Sequence, residues 1–241
     1  MRQVIVVLCL WLAGAAWSTE IRRYDTRVDL EPDGSARAEA TVELKGILPG
    51  RLRIPVGFET LEAFQAGPLP GGVAMVPHSS AGISWVEVEL PQGVADSATL
   101  AFAFRSAGVA FVPKPEPGQK PTLPEGSRLL RHRFTNTHEA PITLYTVTVR
   151  FPDGSIAHRI REQLPRIGRK EVVPRVELGR FDGREGARLQ FAKMRTGDRT
   201  SMELEIVPRQ RSIGWLVLLV LAIGYLVAFR DLVARKPAPV D

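Results

Sequence analysis

The sequence predicts an all-β ectodomain, with one or two immunoglobulin-like β-sandwich units between an N-terminal signal peptide and one C-terminal transmembrane helix. Three observations support this fold class. Residues 20–111 and 127–208 alternate between apolar and polar side chains, residues 213–229 carry no charge, and residues 1–18 have the pattern of a secretory leader. Because strand side chains point alternately to opposite faces, such alternation places one set in a core and the other in water.

Residues 1–18 predict a secretory signal peptide. Arg2 precedes a short apolar run, and small or polar residues lead up to Thr19. A positive start, a short apolar segment and a small-residue cleavage zone are the parts of such a signal. The alternative is a true first membrane helix, but the apolar run is short and charged residues follow it directly. Either interpretation places the middle of the chain outside the cytoplasm.

Residues 20–111 predict the first sandwich unit. Its most regular feature is a hairpin, in which alternating runs at 24–30 and 36–44 flank a Pro-Asp-Gly-Ser turn at 32–35. Asp and Gly suit such a tight reversal. The nearest candidate for a helix in this unit is 60–66. Further strands are predicted at 52–56, 73–76, 84–90 and 98–105.

Residues 112–126 contain five prolines and two glycines and predict an extended linker. Proline fixes φ and donates no backbone hydrogen bond, which argues against a central strand or a helix. A single larger sandwich with a long proline-rich excursion is the alternative to two units. Residues 127–208 predict the second unit. Its strands are expected at 130–134, 143–151, 172–178, 188–191 and 201–207, with a second Pro-Asp-Gly-Ser turn at 152–155.

The C-terminal apolar run predicts a transmembrane helix at 212–229, followed by a cytoplasmic tail at 230–241. The uncharged stretch from Ile213 to Phe229 would rise about 26 Å as a helix, against a hydrocarbon core of about 30 Å. Basic residues after it agree with the positive-inside bias. The alternative is a buried core helix, although these are usually shorter or carry a polar stripe. The lipid bilayer is thus an expected partner, and the expected location is a bacterial inner membrane with a single pass.

The two halves of the body differ in charge. Residues 20–112 contain eight basic and twelve acidic residues, whereas residues 150–211 contain fifteen basic and nine acidic ones. The basic excess predicts an anionic surface or an acidic partner facing the second unit, with an ordinary solvated surface as the alternative. The exported location and the lack of a recognised motif argue against nucleic acid as a partner.

The sequence predicts no catalytic, cofactor-binding or metal-binding residues. It lacks the nucleophile elbow, the phosphate-binding loop, the zinc-peptidase motif and the dinucleotide fingerprint. Asp25 and Asp29 share a strand face with Arg27 and are interpreted as a solvated face. His132 and His138 flank a turn and could converge across a hairpin, but surface or turn roles are expected. The four histidines are scattered: His78, His132, His138 and His158.

The expected function is a non-enzymatic binding or scaffolding module of a bacterial cell-envelope assembly, with a protein partner. The edges and loops of sandwiches are natural docking surfaces. The single cysteine, Cys9, lies in the predicted signal, so the mature chain would form no disulfide and depend on its core. The alternatives are an accessory subunit of a membrane transporter or secretion complex, and a carbohydrate-active or hydrolytic envelope enzyme without a recognisable motif.

Overall fold

A computed structural model describes residues 19–80, 82–112, 124–139, 141–164, 175–209 and 214–233. Within these ranges the chain forms fourteen strands and one helix. It divides into two units between Pro208 and Arg209. The predicted signal peptide at 1–18, with Cys9, lies outside the described residues, as do residues 113–123 of the predicted linker. Those two assignments therefore stay predictions.

The strands of the first unit form three sheets. A seven-stranded sheet has the order β12-β13-β10-β1-β2-β7-β4, a four-stranded sheet the order β11-β14-β9-β8, and a three-stranded sheet the order β3-β6-β5. Their bounds are β1 Glu20–Leu30, β2 Ala36–Lys45, β3 Gly50–Val56, β4 Glu62–Ala66, β5 Ala74–Ser80, β6 Ile83–Leu90, β7 Ser97–Ser106, β8 Ala110–Phe111, β9 Arg128–Thr135, β10 Ile142–Arg150, β11 Ser155–Leu164, β12 Arg175–Phe181, β13 Arg184–Met194 and β14 Arg199–Pro208.

The prediction of one or two immunoglobulin-like sandwiches is wrong. An immunoglobulin-like unit packs two antiparallel sheets against each other, whereas here three sheets are present and the largest contains a parallel pair. In that pair β1 lies beside β10, with Tyr24 opposite Tyr145 and Val28 opposite Val149. The remaining described pairings within the three sheets are antiparallel. Strands from before and after the proline-rich segment thus share one sheet.

The predicted first hairpin is present as β1 and β2, with Leu30 opposite Ala36. In its turn the Asp33 carboxylate accepts hydrogen bonds from the Ser35 backbone N–H at 2.8 Å and from the Ser35 hydroxyl at 2.7 Å. Gly34 has a φ of +91°, and a Cβ there would lie 2.0 Å from the Ala110 carbonyl oxygen. Only glycine fits this position, and its carbonyl accepts a hydrogen bond from the Ala110 N–H at 3.0 Å. The turn thereby holds β8 in place.

Three elements differ from the sequence prediction. The helix candidate at 60–66 is the strand β4, which pairs irregularly with β7 and contains Ala63 at a φ of 48°. The strands β8 and β11 were not predicted, because β8 has two residues and β11 carries charged residues without regular alternation. Both are edge strands of the four-stranded sheet, so the sequence pattern predicted too few strands for that sheet.

One hydrophobic cluster joins buried residues of all three sheets. Tyr24 illustrates how the three sheets meet. The centroid of its ring lies 5.6 Å from the ring centroid of Phe134 in the four-stranded sheet. Its hydroxyl donates a 2.8 Å hydrogen bond to the carbonyl of Pro55 in the three-stranded sheet. Both small sheets therefore pack on the same face of the seven-stranded sheet. This arrangement brings β3 and β9 next to each other.

The helix of the second unit, α1, spans Gly214–Val233. Its described side chains from Leu218 to Val227 are exposed. Among the described residues, no helix has both the length and the apolarity needed to cross a bilayer. The predicted transmembrane helix at 212–229 is therefore wrong.

Candidate functional site

A groove of about 650 Å³ lies between the three-stranded and the four-stranded sheets. The end of β3 with its following loop and the turn before β6 line one side. The loop before β8, the outward face of β9 and the start of β14 line the rest. The lining residues include Gly57, Glu59, Ile83, Arg131, Arg133 and Arg199. We call this feature the arginine groove.

The three arginines share one face because of strand alternation and register. In β9, Leu130, His132 and Phe134 are buried while the intervening Arg131 and Arg133 are exposed. In β14, Arg199 lies opposite Thr135. Thr135 is an even number of positions from Arg131 and Arg133, so its side chain points to the same face of β9 as theirs. Cross-strand neighbours point to the same side of a sheet. The outward face of the four-stranded sheet therefore brings three guanidinium groups to the groove.

The charges of the groove are only partly balanced. Arg131 forms an ion pair with Glu203 at 2.9 Å and lies over the ring of Phe111, 5.1 Å from its centroid. Arg133 and Arg199 form no ion pair with any residue that the structure describes. Among the described lining residues, Glu59 is the one carboxylate. The groove therefore has a positive potential and offers donors in the fork geometry that binds carboxylates.

His132 lies behind the groove, on the inward face of β9, and is 1% exposed. Its Nε2 atom is 2.8 Å from the Tyr145 hydroxyl, and its ring lies 5.2 Å from that of Phe58. Burial lowers the pKa of His132 to about 4, and burial also raises the pKa of Tyr145. Both groups are therefore neutral at pH 7.

Gly57 forms the floor of the groove, where β3 ends against β9. A Cβ at this position would lie 2.4 Å from His132 Cε1 and 3.0 Å from the Arg133 carbonyl oxygen. Real Cβ atoms do not approach ring and backbone atoms so closely, and the interior leaves no slack to absorb the change. Glycine at 57 thus permits the close approach of the two small sheets.

The four histidines lie in separate places. His78 stacks on Trp85 with 5.3 Å between ring centroids, and His158 is exposed on β11. His138 does not converge with His132: its backbone N–H donates to the Asn136 side chain at 3.0 Å, within the polar turn after β9. In the described residues, no group of three or more His, Cys, Asp and Glu could hold a metal ion.

Asp29 was interpreted from the sequence as part of a solvated face, but in the structure two arginines bind its carboxylate. Arg150 holds it with two guanidinium nitrogens, the Nε–Oδ1 distance being 2.6 Å, and Arg184 adds a third contact at 3.2 Å. The Asp29 hydrogen bond is the main reason why the pKa of Arg150 is raised. Arg150 is 121 positions away, so local patterns could not reveal the pair. These contacts join β1 to β10 and β13 and are structural.

Glu205 is a second charged group that sequence patterns did not single out. It is 1% exposed and accepts hydrogen bonds from Arg161 and, at 3.0 Å, from Arg159. Burial alone would raise the pKa of Glu205, but the hydrogen bonds from the two arginines outweigh it and lower the pKa. The carboxylate is thus ionised and bound by two arginines of β11, which makes it a link between β11 and β14.

Comparison with known proteins places the chain in no described family. No family model and no curated protein matches it. Several solved structures are similar at low identity. A suspected protease from Parabacteroides distasonis has 15% identity and a TM-score of 0.41 over 79% of this chain and 41% of its own. Yeast leukotriene A4 hydrolase in complex with bestatin has 11% identity and a TM-score of 0.42. The similarity covers 77% of this chain and 28% of the hydrolase.

An M1 zinc metallopeptidase from Deinococcus radiodurans has 16% identity and a TM-score of 0.38, over 79% of this chain and 42% of its own. These neighbours are peptidases and hydrolases, and this chain spans less than half the length of each. A likeness at these TM-scores and identities carries no inference about this chain's activity.

Proposed function

We propose that the protein is a non-enzymatic binding module of the cell envelope, which holds an acidic segment of a protein partner in the arginine groove. The observation that carries the proposal is the set of three guanidinium groups on one face, two of which have no ion pair among the described residues. Arginine binds carboxylates through two parallel hydrogen bonds, which gives both affinity and geometric specificity.

The shape of the groove supports this proposal. A volume of about 650 Å³ is in the range of pockets that hold several side chains or a small ligand. Its low-dielectric walls reduce the screening of the arginine charges, so they attract an anion more strongly than isolated surface charges do. The basic excess of residues 150–211 adds to the attraction.

Two further points support the proposed location and the choice of binding over catalysis, respectively. The predicted signal peptide directs the body out of the cytoplasm. His132, which lies against Gly57 at the groove floor, is buried and neutral, so it is poorly placed for proton transfer with a bound molecule. The groove thus offers charge and shape for holding a partner.

The experiment measures binding of a fluorescently labelled acidic peptide to the full chain by anisotropy, with a neutral and a basic peptide for comparison. The double variant R133E/R199E reverses the two arginines that have no described ion pair. We expect it to weaken binding of the acidic peptide at least about tenfold, the range of one or more lost charge-assisted hydrogen bonds. Binding should also weaken as salt is raised.

The matched control is the double variant R22E/R27E, which changes the net charge equally on exposed residues of β1. It should leave the affinity within about twofold, because it lies outside the groove lining. Equal loss in both double variants, or no binding of the acidic peptide, would overturn the proposal. Cleavage of the peptide by the wild-type protein would show that the protein is an enzyme.

A further inference from the structure

The two sides of the arginine groove differ in chemistry. The side from the four-stranded sheet carries Arg131, Arg133 and Arg199. The side from the three-stranded sheet carries Ile83, whose side chain is 59% exposed. Ile83 begins β6 directly after Gly82, which has a φ of +76°, so the turn presents it at the mouth of the groove. A ligand in the groove therefore meets cations on one side, and on the other an aliphatic side chain together with the single carboxylate of Glu59.

We infer that the partner segment is an extended peptide in which acidic residues alternate with apolar ones, its carboxylates bound by Arg133 and Arg199 and an apolar side chain resting on Ile83. This inference rests on the proposed function and names the chemistry of its ligand. In an extended chain, successive side chains point to opposite sides. A peptide lying along the groove would thus direct every second residue to the arginines and the others to Ile83.

Charge and apolar burial have different roles in such a complex. The arginines attract the carboxylates over several ångströms and set the orientation of the peptide. The contact with Ile83 removes apolar surface from water, which adds affinity that does not fall with salt. A free phosphate or a purely acidic peptide could use the arginines but would leave Ile83 in water. The apolar residue is therefore the feature that distinguishes the inferred ligand.

The test compares two labelled peptides of equal length and charge, one alternating Glu with Leu and one alternating Glu with Ser. Both are titrated into the full-length protein at two salt concentrations. We expect the Glu/Leu peptide to bind about tenfold more tightly, which corresponds to burial of about half a leucine side chain. The variant I83S should reduce this preference to less than about twofold, and I83L should restore it.

The matched control is V76S, which removes a similarly exposed β-branched side chain, 51% accessible, outside the groove lining. It should leave both affinities unchanged. An equal preference in wild type and I83S would overturn the inference, and so would equal binding of both peptides. In either case, a continued loss in R133E/R199E would leave the proposed function standing. If neither peptide binds, both the inference and the proposed function fail.

Discussion

The two faces of β9 carry opposite kinds of side chain. Toward the core, His132 and Phe134 are at most 2% exposed and contact aromatic rings of the seven-stranded sheet. Toward the groove, Arg131 and Arg133 are exposed, and only the former has an ion pair among the described residues. Stability thus resides on one side of this strand and the proposed recognition on the other, and substitutions should separate them.

The largest effect is expected from F134A on the core face. Phe134 stacks on Tyr145 with 4.0 Å between ring centroids and meets Tyr24 edge-on. Its removal should lower the free energy of unfolding by about 3–5 kcal/mol, because the surrounding sheets can only partly collapse into the cavity. Urea unfolding measures this. The conservative F134L should cost less, and a loss below about 1 kcal/mol for F134A would show that the aromatic junction is not packed as described.

The next effect is a loss of stability in acid caused by His132. Its folded pKa is about 4, below the ordinary value of 6.5, so the unfolded chain binds the proton more readily. The unfolding free energy should therefore be at its full value above pH 7 and fall by about 3 kcal/mol as the pH decreases through 6.5 towards 4.

The variant H132Q isolates this contribution, since glutamine does not titrate. Burial also lowers the pKa of His138, which will add to the acid loss in both proteins. The difference between wild type and H132Q in the slope of stability against pH therefore reports His132 alone. Parallel curves between pH 4 and 7 would contradict the burial of a neutral imidazole.

A smaller loss of stability is expected from G57A, which disturbs the contact between the end of β3 and β9. The added methyl group would meet the His132 ring and the Arg133 carbonyl, and relieving that overlap should cost about 1–3 kcal/mol. G71A is the control: a Cβ at Gly71 meets nothing within 4 Å, so stability should stay within about 0.5 kcal/mol. Thermal or urea unfolding that ranks the two variants equally would contradict the close approach of β3 and β9.

The smallest effect on stability is expected on the groove face. R133S and R199S remove exposed guanidinium groups without a described ion pair and should change the unfolding free energy by less than about 0.5 kcal/mol. R131S also breaks the pair with Glu203 and should cost up to about 1 kcal/mol. A loss above 2 kcal/mol in R133S, measured by urea unfolding, would mean that the groove face supports the fold and is not free for recognition.

Local patterns were sufficient where one strand follows another along the chain. The hairpin of β1 and β2 was predicted with its turn, because alternation defines the inward set and Asp33-Gly34 favour the reversal. Tyr24, Thr26, Val28 and Leu30 are indeed buried. The strand predicted at 130–134 is likewise present within β9, but its pattern does not show what either face contacts.

Patterns were insufficient where contacts join distant segments. The apolar run near the C-terminus reads as a membrane span, but no helix among the described residues has the length and apolarity that crossing a bilayer requires. His132 and His138 flank the turn in the sequence and surface or turn roles were expected for both, but His132 points into the core and only His138 belongs to the turn. The groove itself combines Ile83, Arg133 and Arg199, which no spacing in the sequence connects.

The sequence by itself determined that the body is built mainly from strands and which side chains the regularly alternating strands bury, because period-two alternation is a property of neighbouring residues. The tertiary structure decided how the strands assemble: three sheets with β1 parallel to β10, and β3 in contact with β9 through Gly57. Pairing between distant strands depends on packing over the whole core, which a local pattern does not encode. The arginine groove exists only at that meeting of sheets.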